Sequence, residues 1–323
     1  MKRLPVVSPA YQYIEKSFKE WLEVLGYSWQ TVYYLPIQIR GLLNWLERHN
    51  KTELADISTE AIKDYYYNEL KQRKNYMRGA GALTNTHLNK HIQALRKFTE
   101  YLRQTGKLQI PVFNLSLEKV MEEKLTILTE EEIKQLYAAT EIPQQPKKNN
   151  RSIELYEAIQ QRDRAMLSIF YGCGLRRNEG YCLNVNDINI SSGVLHVIKG
   201  KGYKERLVPV SNKSIEHITT YLYDGRNVLL KDERETALFL SSNNGKRLGG
   251  QLMLVKLQQL IRLTDNAAMI EKEVGLHTLR HSIATHLLAN GMSLEKIKDF
   301  LGHSSMDSTQ IYTHLINKDN EQV

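Results

Sequence analysis

Apolar residues recur at helical spacing along the first hundred residues of the chain. In the first such stretch Ile14, Phe18 and Leu22 lie four apart, as on one face of an α-helix, and the preceding Ser8-Pro9 is a typical helix start. The helical patterns cover about residues 8–26, 31–49, 58–70 and 84–104. No alternating, strand-like pattern interrupts them, so the sequence predicts a small helical bundle.

Three sequence features of this bundle lead to specific structural or functional predictions. Pro36 lies within the second pattern, where its ring and missing N–H should kink the helix or delay its start. The segment Lys71–Gly81 is basic and contains glycine, which favours a loop. On the fourth helix Lys90, Arg96 and Lys97 lie largely off the apolar face, so they form either a solvated face or a DNA-binding face.

The hydrophobic pattern changes in the second part of the chain. Thr129 and Glu132 have the spacing of a capping box, which predicts the first helix of a second domain. Val194–Ile198 and Glu205–Val210 are short strand-like runs joined by a glycine-containing turn, and Ala237–Leu240 is a candidate for one more strand. Helical patterns surround these runs. We therefore predict a mainly α fold with a small antiparallel β-sheet, divided into a helical domain at 1–106, a linker at 107–125 and a second domain at 126–323.

The charge of the chain is concentrated near its N-terminal end. The 323 residues include 44 Lys and Arg against 36 Asp and Glu, a net charge of +8. Residues 1–124 hold 19 of these bases against 13 of the acids, hence +6 of the total, which indicates a nucleic-acid-binding surface in the first domain. No apolar run approaches the roughly 18 residues of a membrane span, and no signal-like segment follows Met1. We expect a cytoplasmic protein without a membrane partner.

Candidate chemistry lies in three separate segments. In Gly174-Leu175-Arg176-Arg177, the first arginine stands at a predicted helix start, and Glu179 lies one turn further on. This carboxylate can orient Arg176, although a surface ion pair would have the same spacing. The predicted hairpin turn carries a second set of cations, Lys199, Lys201 and Lys204, between glycines that allow close backbone approach to a groove.

The third segment combines histidines with an arginine and a phenol. His277 and Arg280 are three apart on one predicted helix face, His303 follows Leu301-Gly302, and Tyr312 lies on the next predicted helix. The histidines lack the spacing of zinc ligands, and Arg280 would repel a cation. The two cysteines likewise lack the spacing of a zinc or redox site and are interpreted as small apolar residues.

Taken together, these motifs resemble those of the tyrosine site-specific recombinases, in particular the Xer-like branch of the phage integrase family. The resemblance covers nearly the whole chain and rests on motifs that occur in the same order: Leu175-Arg176 with Glu179, Gly200-Lys201-Gly202 with Lys204-Glu205-Arg206, His277 with Arg280, Leu301-Gly302-His303, and Tyr312-Thr313-His314. It implies a helical core-binding domain followed by a catalytic domain. Cys173 stands where threonine is more usual, and the doubled arginine leaves open whether Arg176 or Arg177 is the main phosphate ligand.

The resemblance implies a catalytic set and its roles. The set comprises Arg176, Lys201, His277, Arg280, His303 and Tyr312. In this family the tyrosine attacks DNA and forms a 3′-phosphotyrosyl link, the arginines hold the phosphate, a histidine accepts the phenol proton, and the lysine protonates the leaving 5′-oxygen. Glu179 and Arg177 would support this site, and Lys199 and Lys204 would contact DNA. The covalent link conserves the energy of the broken bond, so no metal or other cofactor is expected.

The resemblance implies two kinds of partner: a double-stranded DNA recombination site and further copies of the chain. The copies would form a dimer on each site and a tetramer at synapsis. When bound to DNA, the protein would be associated with the nucleoid. A second, paired recombinase is a further option, and the sequence does not distinguish chromosome-dimer resolution from mobile-element integration. Two other functions share the scaffold. A type IB topoisomerase-like enzyme would nick and close DNA as a monomer, and a non-catalytic DNA-binding protein would lack the nucleophile.

Overall fold

The computed structural model describes residues 4–75, 81–112, 114–120, 125–142, 153–198, 205–303 and 306–310. The chain divides into two compact units, Met1–Glu123 and Lys124–Val323. Each unit has its own hydrophobic core, as expected for domains of roughly 100–200 residues. The division falls within the segment that the sequence predicts as a linker.

The described residues of the first unit contain four α-helices. Their bounds are α1 Pro9–Val24, α2 Trp29–Arg48, α3 Thr59–Asp64 and α4 Asn85–Gln104. Each begins after a hydroxyl residue whose side chain accepts a backbone N–H of the first turn. Of the two effects predicted for Pro36, the delayed start is wrong, because the Ser28 cap accepts from the Thr31 N–H and starts α2 well before the proline. The kink stays a prediction. Pro36 itself is buried within the helix.

The end of the third predicted helix and the following loop differ in detail from the prediction. The helix continues beyond α3 as a π-helical segment, Tyr65–Leu70, which buries Tyr65, Tyr66 and Leu70. Within the predicted loop, β1 (Lys74–Asn75) pairs antiparallel with β2 (Gly81–Ala82). These two-residue strands are too short to show a period of two in the sequence.

Residues that follow α4 remain attached to the first unit. Ile110 and Leu115 are buried in its core. The Asn89 side chain accepts from the Glu118 N–H at 2.7 Å and donates to the Glu118 carbonyl at 2.9 Å, and the Glu118 carboxylate accepts from the Tyr66 hydroxyl. The described part of the predicted linker is therefore packed onto the first unit as far as this contact.

The second unit is mainly helical. Its helices are α5 Glu130–Ala139, α6 Ile153–Leu167, α7 Arg177–Cys182, α8 Asn212–Thr220, α9 Arg226–Leu229, α10 Gly250–Leu263, α11 Ala267–Glu271, α12 Leu276–Ala289, α13 Leu294–Leu301 and α14 Asp307–Gln310. The predicted capping box at Thr129 and Glu132 opens α5. Helix α6 contacts α8, α9 and α10 and buries Ala158, Ala165, Met166 and Leu167.

A three-stranded antiparallel sheet completes the second unit. It consists of β3 (Ile188–Asn189), β4 (Val194–Val197) and β5 (Arg206–Pro209), in that order. Val197 pairs with Arg206 at one end of the β4–β5 ladder, and the predicted hairpin turn between them, at 199–204, lies outside the described residues. The segment Ala237–Leu240, predicted as a strand, forms only isolated bridges, from Ala237 to Asn184 and from Leu240 to Arg247. The mainly α fold with a small antiparallel sheet is confirmed.

None of the helices in the described ranges is both long enough and apolar enough to cross a membrane.

Candidate active site

The site is built around the start of α7. Gly174 adopts a left-handed conformation (φ +60°), and a Cβ there would lie 2.8 Å from Leu301 and 3.0 Å from Phe300, so glycine allows this turn to pack against α13. Arg176 is the N-cap residue of α7. The Glu179 carboxylate accepts the Arg176 backbone N–H and its guanidinium, both at 2.9 Å. The predicted pairing of these two residues is therefore present as a helix cap.

Glu179 also binds an arginine from the sheet. Arg206, the first residue of β5, donates Nη1 to Oε1 at 3.1 Å and Nη2 to Oε2 at 3.0 Å, a bidentate pair. Arg280 on α12 places Nη1 3.9 Å from Oε2. The side chains of Glu179, Arg206 and Arg280 are 6%, 8% and 3% exposed, respectively. We call Arg176, Arg206 and Arg280, grouped around Glu179, the arginine cradle.

The arginines around Glu179 lower the pKa of its carboxyl group. Burial opposes ionisation of the carboxyl, but the hydrogen bonds and charge of Arg206, reinforced by hydrogen bonds from Arg176, hold its pKa below the ordinary value. The carboxylate is thus charged at neutral pH. Three guanidinium charges face one carboxylate charge, and the cradle carries a net charge of about two positive units.

The C-terminal end of α13 is fixed by the same three arginines. Each donates to one of three consecutive carbonyls that have no partner within the helix: Arg206 Nε to Phe300 at 3.0 Å, Arg280 Nη2 to Leu301 at 2.7 Å, and Arg176 Nη2 to Gly302 at 3.2 Å. Gly302 ends the helix in the left-handed conformation (φ +67°), and His303 follows directly. The partial negative charge of a helix C-terminus also favours cations at this position. The cradle therefore determines where His303 lies.

The histidines of the site are held in the neutral form. His277 is open to solvent, yet the protein around it partly desolvates the ring, and together with the charges of Arg280, Arg177 and Arg176 this lowers its pKa. Burial lowers the pKa of His281 to about 4, with help from His277 and Arg280. At neutral pH these imidazoles can accept a proton.

His303 has a defined partner on the following helix. Burial, followed by the charges of Arg280 and Arg176, lowers its pKa to about 4. Its Nδ1 shares a hydrogen bond of 2.9 Å with Oγ1 of Thr309, whose side chain is buried on α14. The tautomer decides which atom donates. This contact fixes the ring and connects His303 to the segment that precedes Tyr312 by three residues in the sequence.

The structure brings together Arg176, Glu179, Arg280 and His303 from the predicted set, with His277 within electrostatic reach of both arginines. Arg177 is exposed and lies beside Gly250 at the start of α10. Four further predicted residues lie outside the described residues: Lys199, Lys201, Lys204 and Tyr312.

Arg206 has no assigned role in the sequence analysis, although a signal for one exists. Strand residues two apart share a face, so Arg206 lies on the same face as Val208 and Val210, both of which are buried. A charge on an inner face requires a buried partner of opposite charge. The alternation of buried and exposed residues along β5 therefore indicates that the Arg206 side chain points inward and pairs with a buried carboxylate.

The predicted DNA-binding residues of α4 differ in their surroundings. Lys90 is exposed. Arg96 donates to the Leu115 carbonyl, and Lys97 forms an ion pair with Glu100 at 2.7 Å. These contacts show that Arg96 and Lys97 also serve the packing of the first unit, and their role in DNA binding stays a prediction.

Comparison with known proteins identifies the class to which this fold and site belong. The model of the phage integrase family matches residues 126–319, and the chain belongs to that family. Among curated proteins, it is 34% identical over 272 residues to tyrosine recombinase XerD of Pseudomonas putida, covering 84% of this chain and 82% of the relative. It is 30% identical over 308 residues to XerD of Oceanobacillus iheyensis, covering 94% of each. The protein is a site-specific tyrosine recombinase of the Xer branch, an enzyme that cuts and rejoins DNA.

Solved structures share the fold. The XerH recombinase in a post-cleavage complex with its palindromic difH substrate superposes with a TM-score of 0.65 at 22% identity, covering 97% of this chain and 83% of that one. The lambda integrase dimer bound to a COC′ core site gives a TM-score of 0.62 at 14% identity, covering 93% and 94%.

Proposed function

We propose that this recombinase cleaves DNA by attack of Tyr312 on a phosphodiester bound at the arginine cradle, and that the product is a 3′-phosphotyrosyl link. The observation that carries the proposal is the excess positive charge of the cradle, where Glu179 balances only one of three guanidiniums. A phosphodiester, and still more the pentacovalent transition state, supplies the missing negative charge. Arg176 is the most exposed of the three, with 20% of its side chain open, and Arg280 Nη1 lies 3.9 Å from the same carboxylate.

The roles of the remaining groups follow from their chemistry. A phenol has an ordinary pKa near 10, so Tyr312 requires a proton acceptor, and we assign this role to His277, whose lowered pKa keeps it neutral. His303 would hydrogen-bond a non-bridging oxygen through Nε2, because Nδ1 is engaged with Thr309. Lys201 would protonate the 5′-oxygen that leaves. Protonation of the leaving oxygen balances the proton removed from the phenol.

We infer that the partner is a duplex recombination site and that the chain binds it as a dimer, with two such dimers forming a synaptic tetramer. The XerH and lambda integrase structures are complexes with DNA sites, and the latter is a dimer. The net charge of +6 in residues 1–124 supports a DNA-binding surface on the first unit. The exposed Lys90 is one candidate for a phosphate contact.

Trapping the covalent intermediate tests the proposal. The substrate is a duplex carrying a nick next to the scissile phosphate, so that the short 5′-hydroxyl fragment diffuses away and the adduct accumulates. Wild type should form a protein–DNA adduct that is stable in detergent. Tyr312→Phe should bind the same DNA with equal affinity and form none. An adduct from the phenylalanine variant would refute the assignment of the nucleophile, and no adduct from wild type on its own site would refute the proposed reaction.

A further inference from the structure

We propose that Arg206 is a positioning residue of the cleavage reaction: it aligns the two phosphate-binding arginines and His303 without touching the phosphate. The inference rests on the proposed function of the cradle. It assigns a role to a side chain that belongs to the sheet, 27 positions from Glu179 in the chain.

Each of the three guanidinium nitrogens of Arg206 donates to a group of the protein. Nη1 and Nη2 bind the two oxygens of Glu179, and Nε binds the Phe300 carbonyl. With 8% of its side chain exposed, Arg206 offers a ligand little of its planar fork. Arg176 differs, since 20% of its side chain is exposed. Any effect of Arg206 on catalysis must therefore pass through the groups that it holds.

Arg206 is the only residue of the described sheet that contacts both Glu179 and α13 through hydrogen bonds. It is anchored by its strand pairing with Val197. On one side it fixes both oxygens of the carboxylate that orients Arg176. On the other side it fixes the carbonyl three residues before His303. Arg206 thereby fixes the position of Arg176 relative to His303.

The packing around Gly302 shows how closely Arg206 fits. A Cβ at Gly302 would lie 2.8 Å from Cδ and 2.9 Å from Nη1 of Arg206. The backbone turn before His303 and the guanidinium therefore occupy adjoining space with no room for a methyl group. A shift of either element moves the other, and interiors packed at this density transmit such a shift.

Arg206→Lys tests the proposal because lysine retains the positive charge but offers a single ammonium in place of a three-point fork. The assay is single-turnover adduct formation on the nicked duplex over a range of protein concentrations. We expect the maximal rate to fall by roughly 10²-fold, the scale of a misplaced catalytic group, with no change in the concentration that half-saturates the DNA. The matched control is Arg226→Lys, since Arg226 is also a buried arginine but donates to the carbonyls of Glu235 and Ala237. This control should cleave at the wild-type rate.

A second substrate separates positioning from a general structural fault. In a methylphosphonate, a methyl group replaces one non-bridging oxygen of the scissile phosphate and removes its charge, so the alignment of cationic groups matters less. The deficit of Arg206→Lys relative to wild type should shrink on this substrate. An equal deficit on both substrates, or a wild-type rate on the phosphodiester, would overturn the proposal.

Misfolding of the Arg206 variant and failure of the proposed function give different results. If Arg206→Lys does not fold, Gly302→Ala takes its place, because it retains Arg206 but forces Cδ and Nη1 to move; a wild-type rate in that variant would then overturn the proposal. If wild-type protein forms no adduct, the proposed function itself fails, and this result is independent of the Arg206 variants.

Discussion

Replacing Gly302 with alanine perturbs the active site through the backbone and through packing at once. The left-handed conformation at φ +67° costs a residue with a side chain about 1–2 kcal/mol. In addition, the new methyl group would displace Arg206 Cδ and Nη1. If one charged hydrogen bond of Arg206 is lost, a further cost of about 1.5–3 kcal/mol follows. The total is therefore about 2.5–5 kcal/mol.

Gly291→Ala isolates the backbone contribution. Gly291 lies in the same unit, also has a positive φ (+84°), and a Cβ there meets no atom within 4 Å. The Gly291→Ala substitution should therefore lower the free energy of unfolding only by the cost of the left-handed conformation, about 1–2 kcal/mol. In a domain of this size each kcal/mol lowers the melting temperature by about 2–4 °C, so melting curves of the two variants should differ clearly.

Adduct formation, measured well below both melting temperatures, then connects this packing to catalysis. We expect Gly291→Ala to cleave the nicked duplex at the wild-type rate. Gly302→Ala should be slower by roughly 10²-fold, because the cradle and His303 are both displaced. The reasoning would be refuted if the two alanine variants melted together and cleaved at the same rate, since Gly302 would then be required only for its backbone angle.

Two further predictions concern the histidines. Thr309→Val should slow adduct formation by about 2- to 12-fold, the worth of one neutral hydrogen bond, because His303 loses its partner at Nδ1, whereas Thr309→Ser should retain the rate; equal rates in both variants would contradict this role. The pKa values of His281 and His303 are about 4 in the folded protein against an ordinary 6.5, so the unfolded chain binds more protons between these values. Stability is therefore fully present above about pH 6.5 and declines toward pH 4. Melting temperatures measured across this window should fall with acidification, and less steeply in His281→Asn; a melting temperature that rises on acidification would exclude this linkage.

The parts of the site that the sequence predicts are those made by neighbours in the chain. Arg176 and Glu179 are three apart, and a helix brings such residues together whatever the rest of the fold does. The helix starts at Ser8 and Thr129 follow from local caps for the same reason. In each case the interacting groups lie within one turn of the same helix.

The parts that the sequence does not predict depend on contacts between distant elements. Nothing near Arg206 in the chain indicates that its partners are Glu179 and Phe300, which lie 27 and 94 positions away. The same applies to Arg96, which the helical pattern places off the apolar face but whose guanidinium is directed at the Leu115 carbonyl. A basic residue that binds DNA and one that binds its own backbone have the same pattern in a sequence.

The arrangement at the end of α13 explains how like charges can be assembled before DNA arrives. Guanidiniums crowded in a poorly solvated interior repel one another strongly, so they require acceptors that remain in place when the substrate is absent. Glu179 supplies a full negative charge, and the carbonyls from Phe300 to Gly302 supply the partial negative charge of a helix C-terminus. These acceptors cancel only part of the positive charge. Under the proposed function, a phosphate would meet cationic groups that are already aligned, and the transition state would be stabilised without reorganisation of the site.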